Sequence, residues 1–136
     1  MTATQRFAWF NLGVIVFTVA VVLLLLPMLD RRALGGLGFL GFLGFGPLFF
    51  RAKPGQVVSD ERDQMIQRRA WILAYVVFWT IFVLVAVFLT AGLYGEDGAV
   101  PVSVLRWSVA FGFMLVYTVA SVAILVQSAG GTRNVE

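Results

Sequence analysis

Four long apolar runs dominate this sequence and limit what the chain can fold into. A helix needs about 20 mostly apolar residues to cross the hydrocarbon core of a bilayer, and residues 7–28, 33–50, 70–94 and 102–127 approach or exceed that length. Hydrophobic residues make up 60% of the chain, whereas soluble domains contain roughly 45–50%. The connecting segments are too short to bury a core of their own. The sequence therefore predicts one membrane domain over 1–136.

The predicted fold class is all-α: a polytopic membrane protein whose four transmembrane helices form a small helical bundle. The first run is longer than the apolar core of a secretory signal peptide, and no small-residue cleavage site follows it, so we expect it to be a retained span. Residues 57–69 contain neither proline nor glycine. We therefore expect the third helix to begin near Ser59, in the cytoplasmic loop 51–69, and to extend out of the membrane.

The distribution of lysine and arginine predicts how the chain is threaded, because these residues concentrate on the cytoplasmic side. With the N-terminus inside, only Arg31, Arg32 and Arg106 of the basic residues lie outside. Both termini are therefore predicted to be cytoplasmic. The basic residues on the inner side are then Arg6, Arg51, Lys53, Arg62, Arg68, Arg69 and Arg133.

Glycine recurs at every third position in the second run, at Gly35, Gly38, Gly41 and Gly44. On an α-helix this repeat drifts by about 60° per step, which predicts a slanting strip. Small residues let helices approach closely in lipid, so the strip is a candidate surface for a neighbouring helix or a second copy, or else a segment that unwinds around a substrate. The run would extend only about 27 Å as an α-helix, which leaves a re-entrant path open.

A charged stretch, SDERDQMIQRRA, precedes the third run in a chain with only 12% charged residues. Its acids favour the positive end of a helix dipole, and its last two arginines suit the cytoplasmic interface. No acid has a basic residue three or four positions later, so none gains a helical ion pair in that direction. Pairing with the loop, a second chain or a cation stays open. The candidate interaction motif comprises Asp60, Glu61, Arg62, Asp63, Arg68 and Arg69.

The same stretch carries a resemblance. Asp60-Glu61-Arg62-Asp63, then Ile66, Arg69-Ala70 and Ala74-Tyr75, resembles the D-E-R-D…I…R-A pattern that leads into the third span of small uncharacterised bacterial four-helix integral membrane proteins. The resemblance implies the bacterial cytoplasmic (inner) membrane and four spans. It implies no mechanism and transfers no site residue.

Few polar side chains interrupt the fourth run. Arg106 lies close enough to the outer interface for its side chain to reach the headgroups, with Glu96 and Asp97 as its expected partners. Four hydroxyl groups in this run are expected to donate hydrogen bonds to carbonyls of their own helix or to a neighbouring helix: those of Ser108, Tyr117, Thr118 and Ser121. We predict a structural role for these groups.

The composition excludes several chemistries. The chain has no cysteine and no histidine, which removes thiol nucleophiles, imidazole bases and thiolate metal ligands. The three acids of the motif could hold Mg²⁺ in a head-group enzyme, but no second carboxylate cluster completes such a site. We predict no catalytic residue, cofactor or metal, and no enzyme activity. The sequence has no basic patch with interleaved aromatic residues, so we predict no nucleic-acid partner.

Two function classes remain. The four runs contain no Asp, Glu or Lys, whereas a proton-coupled transporter needs an acid in the membrane. The preferred hypothesis is a non-catalytic accessory, regulatory or scaffolding subunit, whose partners are the lipid bilayer and a protein bound through the charged cytoplasmic motif. The alternative is a homo-oligomeric small channel or transporter assembled through the glycine-rich second span.

Overall fold

Every secondary-structure element in the part of the chain that the structure describes is helical. The computed structural model describes residues 2–45, 61–94 and 98–130, with the backbone alone for 30–34. In chain order the elements are α1 (Ala3–Leu29), a 3-10 helix (Asp30–Phe45), α2 (Glu61–Val87), a π-helix (Phe88–Tyr94) and α3 (Val102–Gly130).

Within the described ranges, three helices are long and apolar enough to cross a membrane: Ala3–Leu29, Glu61–Tyr94 and Val102–Gly130. Each contains one of the predicted runs and extends beyond it. The second run forms a shorter apolar helix, Gly35–Phe45, within the 3-10 helix. Residues 46–50, the end of that run, lie outside the described residues.

Helix α1 begins with a capping box. The Thr2 hydroxyl accepts a hydrogen bond from the Gln5 backbone N–H at 3.3 Å, and the Gln5 side chain accepts one from the Thr2 N–H at 3.0 Å. This reciprocal pair satisfies backbone donors that a helix start leaves unpaired. The inward residues of α1 follow at spacings of three and four, as one face of an α-helix requires: Ala8, Asn11, Ile15, Thr18 and Val22.

The second run departs from the predicted geometry because it is a 3-10 helix of 16 residues. With three residues per turn, side chains at i and i+3 lie directly above one another. The expectation of a slanting glycine strip was therefore wrong: a three-residue repeat makes straight faces here. We call them the glycine face (Gly35, Gly38, Gly41 and Gly44), the leucine face (Leu37, Leu40 and Leu43) and the phenylalanine face (Phe39, Phe42 and Phe45).

The leucine face attaches the 3-10 helix to the bundle. Leu40 and Leu43 are buried in a cluster with Ile15, against which Met114 and Tyr117 of α3 also pack. Nearer its start the 3-10 helix touches the later part of α1, since a Cβ on Gly36 would lie 3.1 Å from a Val22 methyl. The 3-10 helix therefore runs back along α1 in the opposite direction.

Helices α1, α2 and α3 meet through small residues. One buried cluster joins Ala8 near the start of α1, Ala70 near the start of α2, and Ala123 and Ile124 near the end of α3. Alanine at these positions lets the helix backbones approach closely. Because the cluster contains two helix starts and one helix end, α1 and α2 begin at the same end of the bundle, where α3 finishes.

A second close contact joins α2 and α3 further along their length. A Cβ on Gly112 would lie 2.9 Å from the Phe78 ring. The Trp71 and Tyr117 rings meet edge to face, with centroids 5.5 Å apart. These contacts hold the two helices in antiparallel register.

Candidate functional site

The charged motif lies at the start of α2. The described part of that helix starts at Glu61 and carries Glu61 and Asp63 in its first turn. Both carboxylates therefore lie at the positive end of the helix dipole. Ser59, Asp60 and the basic loop residues Arg51 and Lys53 lie outside the described residues.

The stretch of α2 that carries the motif contains both exposed and packed residues. Ile66 packs against the alanine cluster that contains Ala70. By contrast, Glu61, Arg62, Arg68 and Arg69 are exposed and Asp63 is half-buried. Ile66 and Ala70, which lie in the same stretch, thus fix α2 to the bundle, while most charged side chains of the motif face away from the protein interior.

The charged side chains of the motif form no ion pair among the residues that the structure describes. Glu61 and Arg68 are seven residues apart on one face, about 10 Å along the axis, which is too far for direct contact. Over the described ranges no group of three or more Asp and Glu side chains is placed to hold a metal ion. The arrangement is a surface that carries exposed charges of both signs.

The glycine face is uncovered. A Cβ built on Gly35, Gly38, Gly41 or Gly44 would meet no atom within 4 Å. Next to it on the 3-10 helix, the phenylalanine face forms a ladder, with centroids 6.0 Å apart between Phe39 and Phe42 and 6.2 Å apart between Phe42 and Phe45. Within the described residues, no neighbouring helix covers the glycine face, although its small residues made it a candidate packing surface.

Two buried polar side chains were not identified as a site from the sequence. Asn11 of α1 is 2% exposed and Ser121 of α3 is 0% exposed. Neither Asn11 Oδ1 nor Ser121 Oγ has a hydrogen-bond partner in the described part of the protein. A buried polar group left unpaired costs about 1–3 kcal/mol. The sequence signal was an asparagine on the α1 face that also carries Ala8 and Ile15.

Several other hydroxyl groups in the helices bond to backbone carbonyls, and for Ser108 this was predicted. Ser108 donates to the Val104 carbonyl at 2.9 Å, and Thr18, Thr80, Thr90 and Ser128 likewise donate to carbonyls of their own helices. For Ser121 the prediction of such a bond was wrong, since its hydroxyl has no partner among the described residues. Arg106 is exposed, and its expected partners Glu96 and Asp97 lie outside the described ranges.

An open groove of about 390 Å³ runs between α2 and α3. Its walls are mostly aliphatic, with Thr118 and Gln127 as the polar residues. It contains no ionisable group and suits a lipid acyl chain better than a polar substrate. The residues that line it are Leu73, Thr118, Val119, Val122, Ala123, Val126 and Gln127.

Comparison with known proteins identifies a family. No curated protein and no solved structure matches the chain. The model of the family described as "Predicted membrane protein (DUF2178)" matches residues 4–129, which include all three long spans almost completely as well as the 3-10 helix. The chain therefore belongs to this family of membrane proteins.

Proposed function

We propose that the chain is a non-catalytic accessory, regulatory or scaffolding subunit that binds a protein partner through the charged start of α2. The observation that carries this proposal is that Glu61, Arg62, Arg68 and Arg69 are exposed and have no ion-pair partner among the described residues. A surface of both signs selects partners by charge complementarity and excludes those with the wrong pattern.

The proposal includes a four-span arrangement with the motif and both termini in the bacterial cytoplasm. Two observations support it. Helices α1 and α2 begin at one end of the bundle, so the chain between them returns along its length. The apolar part of the 3-10 helix, Gly35–Phe45, extends about 22 Å at about 2.0 Å per residue, which is most of the thickness of the hydrocarbon core. The bias of lysine and arginine supports this end as the cytoplasmic one.

Charge reversal tests the docking surface. We expect native mass spectrometry of the protein, extracted in mild detergent from its own membranes, to show a discrete heteromeric complex. Replacing both Glu61→Lys and Asp63→Lys should reduce the complex at least tenfold, because like charges then face the partner. The control is Arg106→Glu, which reverses an exposed charge on another helix and should leave the complex intact. A wild-type protein without a partner, or a complex that survives the double reversal, contradicts the proposal.

A second candidate function is a homo-oligomeric channel or transporter, favoured by the uncovered glycine face. Glycines on that face repeat every three residues, a rise of about 6 Å in a 3-10 helix. The neighbouring phenylalanine rings are spaced at 6.0 and 6.2 Å. The phenylalanine rings of one copy are therefore spaced like the gaps along the glycine face of another copy, so the rings can pack against that face. In a dimer with two-fold symmetry this contact occurs twice.

This candidate has its own test. Gly38→Leu with Gly41→Leu adds bulk where a Cβ meets nothing within 4 Å, so the single chain should fold normally while an oligomer dissociates. The control is Val126→Leu, at a side chain on α3 that is 65% exposed. Mass photometry in nanodiscs measures the state of assembly, and ion flux in liposomes measures transport. A wild-type monomer, or an oligomer that tolerates both leucines, contradicts this candidate.

A further inference from the structure

The groove between α2 and α3 has the length of one leaflet of a bilayer. Thr118 and Gln127 are the first and last groove residues on α3, and the nine steps between them cover about 14 Å along the helix axis. Half of a hydrocarbon core is about 15 Å thick. Gln127 lies near the end of α3, at the end of the bundle where α2 begins. The groove therefore runs from that end toward the middle of the membrane.

The groove is open on its outer side. Leu73, Val122 and Val126 line it and are all exposed, so its volume of about 390 Å³ is accessible from the surrounding lipid. Acyl chains are as apolar as these side chains. The apolar wall alone does not select one lipid over another, and that choice depends on the charges near the groove.

Two arginines of α2 lie on the same side of the helix as the groove residue Leu73. Arg69 precedes Leu73 by four residues and Arg62 precedes Arg69 by seven, so the three fall within about 40° around the axis. Both arginines are exposed, and neither forms an ion pair within the described residues. Ala70, next to Arg69, packs in one cluster with the groove residue Ala123. Arg69 therefore lies beside the groove, and Arg62 lies beyond it toward the start of α2.

These positions place positive charge where a lipid headgroup would be. Side chains on a helix lean toward its N-terminus, so Arg62 and Arg69 extend from the groove toward the membrane surface. A guanidinium group binds a phosphate through two parallel hydrogen bonds. We propose that this groove binds one acyl chain of an anionic phospholipid, whose phosphate is bound by Arg69 and Arg62.

The lipid site is independent of the protein partner proposed above. Glu61 and Arg68 share another side of α2, about 100° around the axis from Arg62 and Arg69. A headgroup on the two arginines leaves that side free. The charge reversal at Glu61 and Asp63 tests the protein partner, whereas the variants below test the lipid.

Native mass spectrometry measures the lipid preference directly. The purified protein is titrated in detergent with an equimolar mixture of dioleoyl phosphatidylglycerol and dioleoyl phosphatidylcholine, which differ in charge but carry the same chains. We expect phosphatidylglycerol to bind first. Arg69→Gln should weaken that first binding step about fivefold, the effect of one cationic residue near an anionic lipid surface. Binding of phosphatidylcholine should not change.

The matched control is Arg68→Gln, which removes the same charge from the neighbouring position, on the other side of α2. It should keep the wild-type preference. Equal losses in the two variants would show attraction by overall charge alone and would overturn the proposal. Equal binding of the two lipids by the wild-type protein would also overturn it.

A second pair of variants tests the groove itself. Val122→Phe fills the groove and should abolish the preferred first binding of phosphatidylglycerol. Val109→Phe adds the same bulk at an exposed valine of α3 outside the groove and should leave it intact; circular dichroism checks that both variants keep the wild-type helix content. Unchanged lipid binding by Val122→Phe contradicts the proposal. So does a wild-type dimer that Val122→Phe dissociates, since a second copy would then occupy the groove.

Discussion

The α1–α3 interface and the glycine face both consist of small residues, yet one is covered and the other is not. At the interface, Ala8 is 0% exposed and packs in a cluster that joins three helices. On the 3-10 helix, Gly38 and Gly41 are exposed and meet no atom within 4 Å. Small residues therefore permit close approach without requiring it, and the neighbouring helices decide which row is used.

The lipid environment explains why an uncovered row is tolerated. Lipid tails are as apolar as leucine, so exposing an apolar helix face to them has little cost. Met28 is 81% exposed and Leu24 is 72% exposed on α1, as expected for lipid-facing positions. In this chain, exposure of a small or apolar surface is not by itself a sign of a missing partner.

The largest effect is expected when the covered interface is overfilled. Ala70→Leu adds bulk at a side chain that is 0% exposed and packed with Ala8 and Ala123. Overpacking of this kind lowers the free energy of unfolding by about 2–3 kcal/mol. Gly41→Leu adds even more bulk on the glycine face and should change that free energy by less than about 0.5 kcal/mol. Steric-trap unfolding in bicelles measures both, and equal losses would remove the distinction between the two rows.

A smaller loss is expected when a side chain is removed from the leucine face. Leu43 is 1% exposed in the cluster that attaches the 3-10 helix to α1 and α3. In lipid, truncating an apolar side chain removes packing contacts but costs little hydrophobic free energy. Leu43→Ala should therefore lower the free energy of unfolding by about 2 kcal/mol. Phe42→Ala, at a ring that is 50% exposed, should cost about 0.5–1 kcal/mol through its ring contacts. The reverse order would show that the second run is not a 3-10 helix with these faces.

The smallest effect separates two neighbouring glycines. Gly36→Ala places a methyl 3.1 Å from Val22, a β-branched side chain with little rotamer freedom, and we expect a loss of about 0.5 kcal/mol. Gly38→Ala meets open space and should stabilise by about 0.5 kcal/mol, because alanine loses less backbone entropy than glycine. The same unfolding assay compares them. Equal changes of one sign would contradict the different surroundings of these two positions.

Much of the fold was predictable from hydrophobicity. The four apolar runs correctly predicted a helical membrane protein. The 3-10 geometry of the second run was not predicted. The prediction assumed an α-helix, on which a three-residue repeat drifts around the axis. In a 3-10 helix the same repeat brings Leu37, Leu40 and Leu43 onto one packing face, whereas on an α-helix the three side chains would be spread over about 120°.

The candidate sites divide in the same way. The charged motif was predictable, because clustered charges in an apolar chain stand out in the sequence. The burial of the Asn11 and Ser121 side chains was not, because each alone is an ordinary polar residue in a helix. Only the packing of the helices decides that both are enclosed.

The sequence by itself determined that the chain is helical and membrane-embedded, since the length and apolarity of a run decide whether its backbone can satisfy its own hydrogen bonds in lipid. Tertiary structure decided which row of small residues is covered and which polar oxygens are buried. The physical reason is that helices associate in lipid through shape and hydrogen bonding, with little help from hydrophobicity. Such contacts depend on the relative placement of several helices, which no single run of residues specifies.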